Sequence, residues 1–227
     1  MLTVRDVEAA GGYDVLYADF PWGFNNTARG AAEDHYRTIP FKTLVGEAAP
    51  LVRRLGAANS VLFAWAPWPF VVERHQAHDL MRACGYEPKT VAFVWVKRIK
   101  DGGDAVGNGW WTRANTEVCL LGTRGRVRRH DSTEARSVRQ LLVEDASVED
   151  LALEVLASVR GRHSQKPVEF RRRVEVLMGP SATRLELYAR ERADGWDAHG
   201  DQVPGGADVV LVDGGDGRQL AIAGVAP

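Results

Sequence analysis

The sequence predicts a single α/β domain. Its 227 residues suffice for one domain with a full core but hardly for two. Short apolar runs alternate with segments of helical periodicity, and polar residues follow two of the runs, Tyr13–Asp19 and Thr183–Ala189. Since the carboxyl ends of parallel strands meet at one edge of a sheet, a mostly parallel sheet would bring the ends of these two runs together. We therefore expect the chemistry of this chain at that edge.

Three further strands and three helices are predicted between these two runs. Each strand is a short apolar run, and each helix has an apolar face that ends before a glycine. The strands are predicted over residues 60–65, 90–96 and 116–122. The apolar helix faces span residues 44–55, 77–84 and 170–178, and Pro50 divides the first helix into two short pieces.

The turn Asp19-Phe20-Pro21-Trp22 closes the first run with the residue types that hold an amine on an aromatic ring. The Asp19 carboxylate can accept a hydrogen bond from such an amine. The Phe20 carbonyl can be a second acceptor, and its direction is constrained because Pro21 follows it. Trp22 offers a flat surface for a base taken out of its stack, and such stacking contributes ~1–3 kcal/mol per base. We therefore predict that this turn binds the exocyclic amine of a nucleobase.

The same turn resembles the D-P-P-W signature of adenine N6-methyltransferases of the messenger-RNA adenosine methyltransferase type, a family with bacterial and phage members. An ordered series of further matches is stronger evidence than one tetrapeptide, and this series covers roughly residues 13 to 203. The matches are His35-Tyr36-Arg37-Thr38, Leu62-Phe63-Ala64-Trp65, Phe93-Val94-Trp95-Val96-Lys97, Thr112-Arg113-Ala114-Asn115-Thr116-Glu117, His163-Ser164-Gln165-Lys166-Pro167, Arg184-Leu185-Glu186-Leu187-Tyr188-Ala189-Arg190 and Gly200-Asp201-Gln202.

The resemblance implies a Rossmann-like methyltransferase fold with S-adenosyl-L-methionine as the methyl donor. Its mostly parallel sheet is flanked by helices, and the motif order is permuted, with the amine-binding motif early and the donor-binding strand late. The methyltransferase domain is expected over residues 1–203, and residues 204–227 form a C-terminal extension with a possible β-hairpin. The apolar spacing over 147–159 fits a helix, whereas relatives have a strand before the His-Ser-x-Lys-Pro loop. We therefore expect a short helix over 147–153 and an extended segment over 155–159.

The resemblance also implies roles for individual residues. Asp19, Phe20, Pro21 and Trp22 are expected to be catalytic. The expected substrate-binding residues are Tyr36, Asn115, Glu117 and His163, although Tyr36 could instead be an ordinary packed loop residue. The expected donor-binding residues are Lys166, Glu186, Arg190, Asp201 and Gln202.

Three of these positions leave room for another interpretation. Glu186 could bond the donor's ribose or ammonium, but a structural carboxylate paired with a cation is the alternative. Phe20 replaces the first proline of the signature, which removes one backbone restraint. Asp201 replaces the usual asparagine and only accepts hydrogen bonds when ionised, which suits ribose hydroxyls.

The expected reaction is direct N6-methylation of adenine in nucleic acid, with DNA favoured over RNA. Two alternatives stay open: a catalytically silent relative that binds nucleic acid or a partner, and methylation of a small molecule with an aromatic amine. A basic cluster between Arg124 and Arg139 would favour a polymer if it lined the mouth of the site. An ordinary solvated basic loop is the other interpretation.

Charge and composition narrow the partners and the compartment. The chain has 29 Lys and Arg against 30 Asp and Glu, so contact with nucleic acid requires a local basic patch. Cys84 and Cys119 lie far apart in apolar contexts, as expected for core residues in a reducing compartment. We expect His75 and His78 to be solvated surface residues and not a pair of metal ligands, so no metal is expected. No run approaches the ~20 apolar residues of a membrane span, so we expect a cytoplasmic protein, as a monomer or a homodimer.

Overall fold

The computed structural model describes residues 1–23, 38–99, 111–146 and 166–212. Its centre is a seven-stranded sheet with the strand order β6-β4-β5-β3-β2-β7-β8, and β1 and β9 form a separate two-stranded sheet. The strands are β1 Leu2–Thr3, β2 Tyr13–Asp19, β3 Gly56–Ala66, β4 Glu87–Ile99, β5 Thr116–Arg124, β6 Leu141–Ala146, β7 Arg184–Leu187, β8 Asp197–His199 and β9 Val209–Val210.

The helices are short and lie mostly between strands. Leu44–Ala48 forms a π-helical turn between the second and third of them. The helices are α1 Val4–Ala9, α2 Phe41–Thr43, α3 Ala49–Leu55, α4 Trp68–Val72, α5 Gln76–Ala83, α6 Thr133–Arg136 and α7 Val168–Met178.

The central sheet is mostly parallel, as the sequence predicts. β2 lies between β3 and β7 and is parallel to both, and the β4–β6 and β7–β8 pairs are also parallel. Only β5, among the described strands, is antiparallel to its neighbours β3 and β4. The carboxyl ends of β2, β3, β4 and β7 therefore share one edge with the beginning of β5, and we call this edge the active edge.

Both faces of the sheet are buried, which explains why β2 is an almost uninterrupted apolar run. Successive side chains of a strand point to opposite faces. Leu16 and Ala18 pack in the cluster that also contains residues of α1, α3 and α5. Val15 and Tyr17 pack in a second cluster with Phe170 of α7. β2 thus runs through the middle of the core and delivers Asp19 to its edge.

The structure corrects the predicted bounds of several elements. The predicted helix over 44–55 has its second piece at Ala49–Leu55, near Pro50, but a π-helical turn joins the pieces without a break. β4 extends beyond the predicted run at both ends. β7 ends at Leu187, earlier than predicted, because Tyr188 has a φ of 61° and leaves the extended region. His75 precedes α5 in a left-handed conformation instead of belonging to the helix.

The predicted elements at 147–153 and 155–159 lie outside the described residues, as do residues 213–227 of the C-terminal extension with its possible β-hairpin. Within the described ranges, none of the helices has both the length and the apolar character needed to cross a membrane. Cys84 and Cys119 are free and buried, one in each core cluster, as predicted.

Candidate active site

The active edge brings the early and late motifs of the chain together. Asp19 is the last residue of β2, and Lys166 lies just before α7. The ammonium of Lys166 is 3.1 Å from Oδ2 of Asp19 and 2.9 Å from Oε2 of Glu117, which belongs to the start of β5. The side chain of Lys166 is only 10% exposed, so this ammonium is largely shielded from water between two carboxylates.

A second lysine completes this group of charges. Nζ of Lys97, near the end of β4, is 3.0 Å from Oε1 of Glu117. Burial alone would raise the pKa of Glu117, but the two ammonium groups outweigh burial and lower this pKa to about 2. Asp19 and Glu117 in turn raise the pKa of Lys166 against the opposing effect of burial. We call Lys97, Glu117, Lys166 and Asp19 the charge row.

Two tryptophans form the wall beneath the charge row. The Lys166 ammonium lies 5.6 Å from the ring centroid of Trp65 and 5.9 Å from that of Trp95. Lys97 lies 4.6 Å from the Trp95 ring. At these distances the faces of the rings attract the cations electrostatically. The wall therefore attracts both ammonium groups and excludes water from one side of the site.

The Asp19–Trp22 turn is packed more tightly than the sequence suggests. The Trp22 backbone N–H donates to the Phe20 carbonyl at 2.8 Å, and the Trp22 indole N–H donates to the Trp65 carbonyl at 2.9 Å. The Trp22 ring stacks on Phe70 with centroids 4.9 Å apart and is 4% exposed. The expected open stacking surface is therefore not present, because the indole gains more from burial against the core. Trp22 anchors the turn, and one acceptor position of the Phe20 carbonyl is already used.

Glu186 is a paired structural carboxylate, the alternative that the sequence left open. Arg171 of α7 donates to both of its oxygens, from Nε at 2.7 Å and from Nη2 at 3.0 Å. The same guanidinium donates from Nη1 to Glu191 at 2.7 Å. Both Glu186 and Arg171 are buried. In this arrangement both oxygens of Glu186 are directed to the helix that covers β7, and its expected contact with the donor stays a prediction.

Arg190 lies across from the charge row. Its Nη2 is 4.0 Å from Oδ2 of Asp19, and its side chain is one-third exposed. A cavity joins the two regions, and Tyr17, Asp19, Lys166, Arg171, Glu186, Tyr188, Arg190 and Glu191 line it. The early carboxylate and the late cations thus face one shared cavity.

The segment after β7 has an unusual backbone that shapes this cavity. Tyr188 has a positive φ, and its ring packs against Phe20 at 5.6 Å and His199 at 6.0 Å between centroids. A side chain at Gly200 would clash with the carbonyl oxygen of Ala189. Only glycine therefore allows the exposed turn with Asp201 and Gln202 to lie this close to residues 188–190.

The remaining predicted site residues divide into two groups. Asn115 lies at the active edge, where its carbonyl accepts from the Lys97 backbone N–H at 2.9 Å. Tyr36 and His163 lie outside the described residues. Sequence reasoning did not find Arg171, because no local pattern indicates which carboxylate an arginine on a helix will contact. Lys97, in contrast, belongs to one of the quoted motifs.

The basic cluster does not begin at the mouth of the site. Arg124 ends β5 at the opposite edge of the sheet, where it donates to the carbonyls of Arg53 at 2.6 Å and Gly56 at 2.8 Å. The backbone N–H of His130 donates to the Leu177 carbonyl near the far end of α7. Antiparallel β5 carries the chain away from the active edge, so Arg124 and His130 do not line the mouth of the site.

The described ranges contain no group of three or more His, Cys, Asp or Glu side chains that could hold a metal ion. The chemistry available at the active edge is that of fixed charges and hydrogen-bond acceptors.

Comparison with known proteins agrees with this arrangement. A family model described as MT-A70 matches residues 13–202, from the first residue of β2 to just beyond β8. The type II methyltransferase M.MunI from Mycoplasma sp is 28% identical over 213 residues, which cover 85% of this chain and 78% of that protein. The match includes every described strand of the central sheet.

Proposed function

We propose that this protein methylates N6 of adenine in nucleic acid and that DNA is a better substrate than RNA. The chain belongs to the MT-A70 family of S-adenosylmethionine-dependent adenine methyltransferases. The observation that carries this proposal is the shared cavity between Asp19 and Arg190. An acceptor for an amine and a cation for the donor face each other there. Similarity to a type II methyltransferase favours DNA as the polymer.

The residues around the cavity fit the methyl donor by their chemistry. S-adenosylmethionine, when bound, supplies a methyl group on a positively charged sulfur and carries a carboxylate and ribose hydroxyls. Arg190 would pair with the carboxylate, and Asp201 and Gln202 would bond the hydroxyls. Glu186 supports this site indirectly, because it holds Arg171 over the end of β7.

Asp19 would orient the target amine. Its Oδ2 already pairs with Lys166, which leaves Oδ1 for an amine N–H. The second acceptor position of the Phe20 carbonyl would take the other N–H. Because both acceptors are fixed by the turn and by Lys166, they need little reorganisation when the amine nitrogen bonds the methyl carbon. The amine nitrogen would take the methyl group as the bond between that carbon and the donor's sulfur breaks, and the amine would release its proton to solvent. This direct transfer needs no covalent enzyme intermediate.

The other predicted substrate residues would act around this centre. Glu117 would contribute through Lys166, because its Oε2 is 2.9 Å from the Lys166 ammonium. Asn115 lies two residues before Glu117, just ahead of β5. Roles for Trp22 as a rigid anchor and for Tyr36 and His163 as contacts to the base belong to the same proposal.

A second candidate is methylation of a small molecule with an aromatic amine. The position of Arg124 and His130 at the edge opposite Asp19 favours it, because those residues provide no contact for a phosphate backbone at the site. The charge row and the donor residues would serve both substrates equally.

The proposal can be tested with labelled S-adenosylmethionine and separate pools of DNA, RNA and nucleosides, followed by mass spectrometry of the products. N6-methyladenine in DNA is the expected result. Asp19→Asn should lower kcat roughly 100-fold or more while donor binding persists, since it removes a fixed acceptor. Asp79→Asn, at an exposed carboxylate on α5, is the matched control.

Two results would contradict the proposal. Methylation of nucleosides alone would favour the small-molecule candidate. Donor binding without methylation of any pool would favour a catalytically silent relative.

A further inference from the structure

The proposed reaction gives Lys97 no role, yet its backbone and side-chain contacts fix its position. β4 and β5 pair with Trp95 opposite Glu117, so Lys97 lies beside the start of β5. The backbone N–H of Lys97 donates to the Asn115 carbonyl at 2.9 Å. Its side chain is 16% exposed and ends against both Glu117 and the Trp95 ring. Lysine side chains are ordinarily exposed to water, so this degree of burial is unusual.

The charges of the charge row balance only with Lys97 present. Asp19 and Glu117 contribute two negative charges, and Lys97 and Lys166 contribute two positive ones. Lys97 touches one oxygen of Glu117 and Lys166 touches the other. Lys166 can therefore divide its ammonium hydrogens between Glu117 and Asp19 without leaving a carboxylate unmatched.

Removal of the Lys97 charge would change this balance at the partly buried end of the row. Among the described residues, Lys166 would be the one remaining cation in contact with Glu117, and it would also have to hold Asp19. Glu117 would then bind a proton more readily or draw Lys166 away from Asp19. Arg190, at 4.0 Å from Asp19, is too distant and too exposed to replace that contact. Either response loosens the acceptor that faces the amine.

We propose that Lys97 is a positioning residue for methyl transfer, which holds Glu117 so that Lys166 remains available to fix Asp19. The inference rests on the proposed function, because Asp19 is the amine acceptor there. Lys97 acts on Asp19 through two intervening residues, Glu117 and Lys166, and does not touch the substrate.

The test compares Lys97→Met, which keeps a long side chain over Trp95 without charge, with Lys97→Arg, which restores the charge. Lys89→Met, at an exposed position of the same strand, is the matched control. Lys97→Met should lower kcat roughly 10- to 100-fold, because small misplacements of a catalytic group have effects of this size. The KM for the donor should stay within about 3-fold, since uniform binding is unchanged. Lys97→Arg should recover most of the rate.

The pH profile distinguishes positioning from a merely structural role. Glu117 faces Lys97 and Lys166, with Asp19 next to Lys166. In the part of the chain that the structure describes, loss of Lys97 therefore removes one of the two cations that contact Glu117. The acid limb of kcat should therefore move to higher pH in Lys97→Met and return in Lys97→Arg. An unchanged acid limb, or a rate equal to that of Lys89→Met, would overturn the inference.

A second measurement separates this inference from the proposed function. Carbon NMR of labelled glutamate side chains reports the titration of Glu117 without any substrate. Loss of Lys97 should raise the pKa of Glu117, and an unchanged value would overturn the inference even if no substrate were methylated. Absence of methylation by the wild-type protein on every pool would count against the proposed function alone.

Discussion

The Arg171–Glu186 pair allows a quantitative prediction about stability. Arg171→Met removes the guanidinium that donates to both oxygens of Glu186 and leaves a buried carboxylate without its partner. Breaking one partner of a buried, hydrogen-bonded ion pair costs about 3–5 kcal/mol. For a chain of 227 residues, each kcal/mol shifts Tm by roughly 2–4 °C. Arg171→Met should therefore lower Tm by roughly 6–20 °C.

The measurement is urea denaturation followed by circular dichroism, together with a thermal scan, at pH 7. The double variant Arg171→Met with Glu186→Met removes both charges, so it should recover much of the lost stability. Arg172→Met is the matched control on the same helix, since Arg172 is exposed and pairs only at the surface with the half-exposed Glu169. A loss below about 1 kcal/mol in Arg171→Met would refute the buried-pair interpretation. Equal losses in the single and double variants would refute it as well.

Two further predictions concern the pH dependence of stability and the shape of the cavity. The pKa of Glu117 falls from 4.5 to about 2 on folding, so its stabilising contribution is complete above about pH 4.5 and is lost as pH falls towards 2. This contribution is about 3 kcal/mol at neutral pH, and the difference in unfolding free energy between wild type and Glu117→Gln should shrink by that order between pH 6 and pH 2; a constant difference would contradict it. Gly200→Ala should weaken donor binding 10-fold or more by calorimetry, because the new methyl group clashes with the Ala189 carbonyl. Gly46→Ala, which meets nothing within 4 Å, is its control, and equal affinities in the two variants would contradict the explanation.

The sequence predicted the parts of the fold that depend on local pattern. The apolar run Tyr13–Asp19 became a strand buried on both faces, and α7 ended at Gly179 as its glycine indicated. The meeting of Asp19 with the late motif at one sheet edge followed from parallel strand geometry, and the cavity confirms it. The resemblance to adenine N6-methyltransferases is confirmed by the family match.

The features that the sequence could not predict depend on long-range pairing. The direction of β5 places Arg124 at the edge opposite the active edge, and no local pattern records whether a strand is antiparallel to its neighbours. The partner of Glu186 lies on a helix that reaches it only after folding. Burial of Trp22 depends on its contact with Phe70, which follows in sequence by almost fifty residues. Each of these features requires the three-dimensional register of separate elements.

The reversed direction of β5 has a consequence for protein engineering. Most strands of the central sheet end at the active edge, whereas β5 begins there. The connection from Ile99 to Thr116 therefore leads directly to Glu117. Substitutions over residues 111–115 lie a few residues from Glu117 in the chain and are the natural place to select altered substrate preference. Changes after Arg124 act at the other end of the strand, so tags and solubility substitutions belong there.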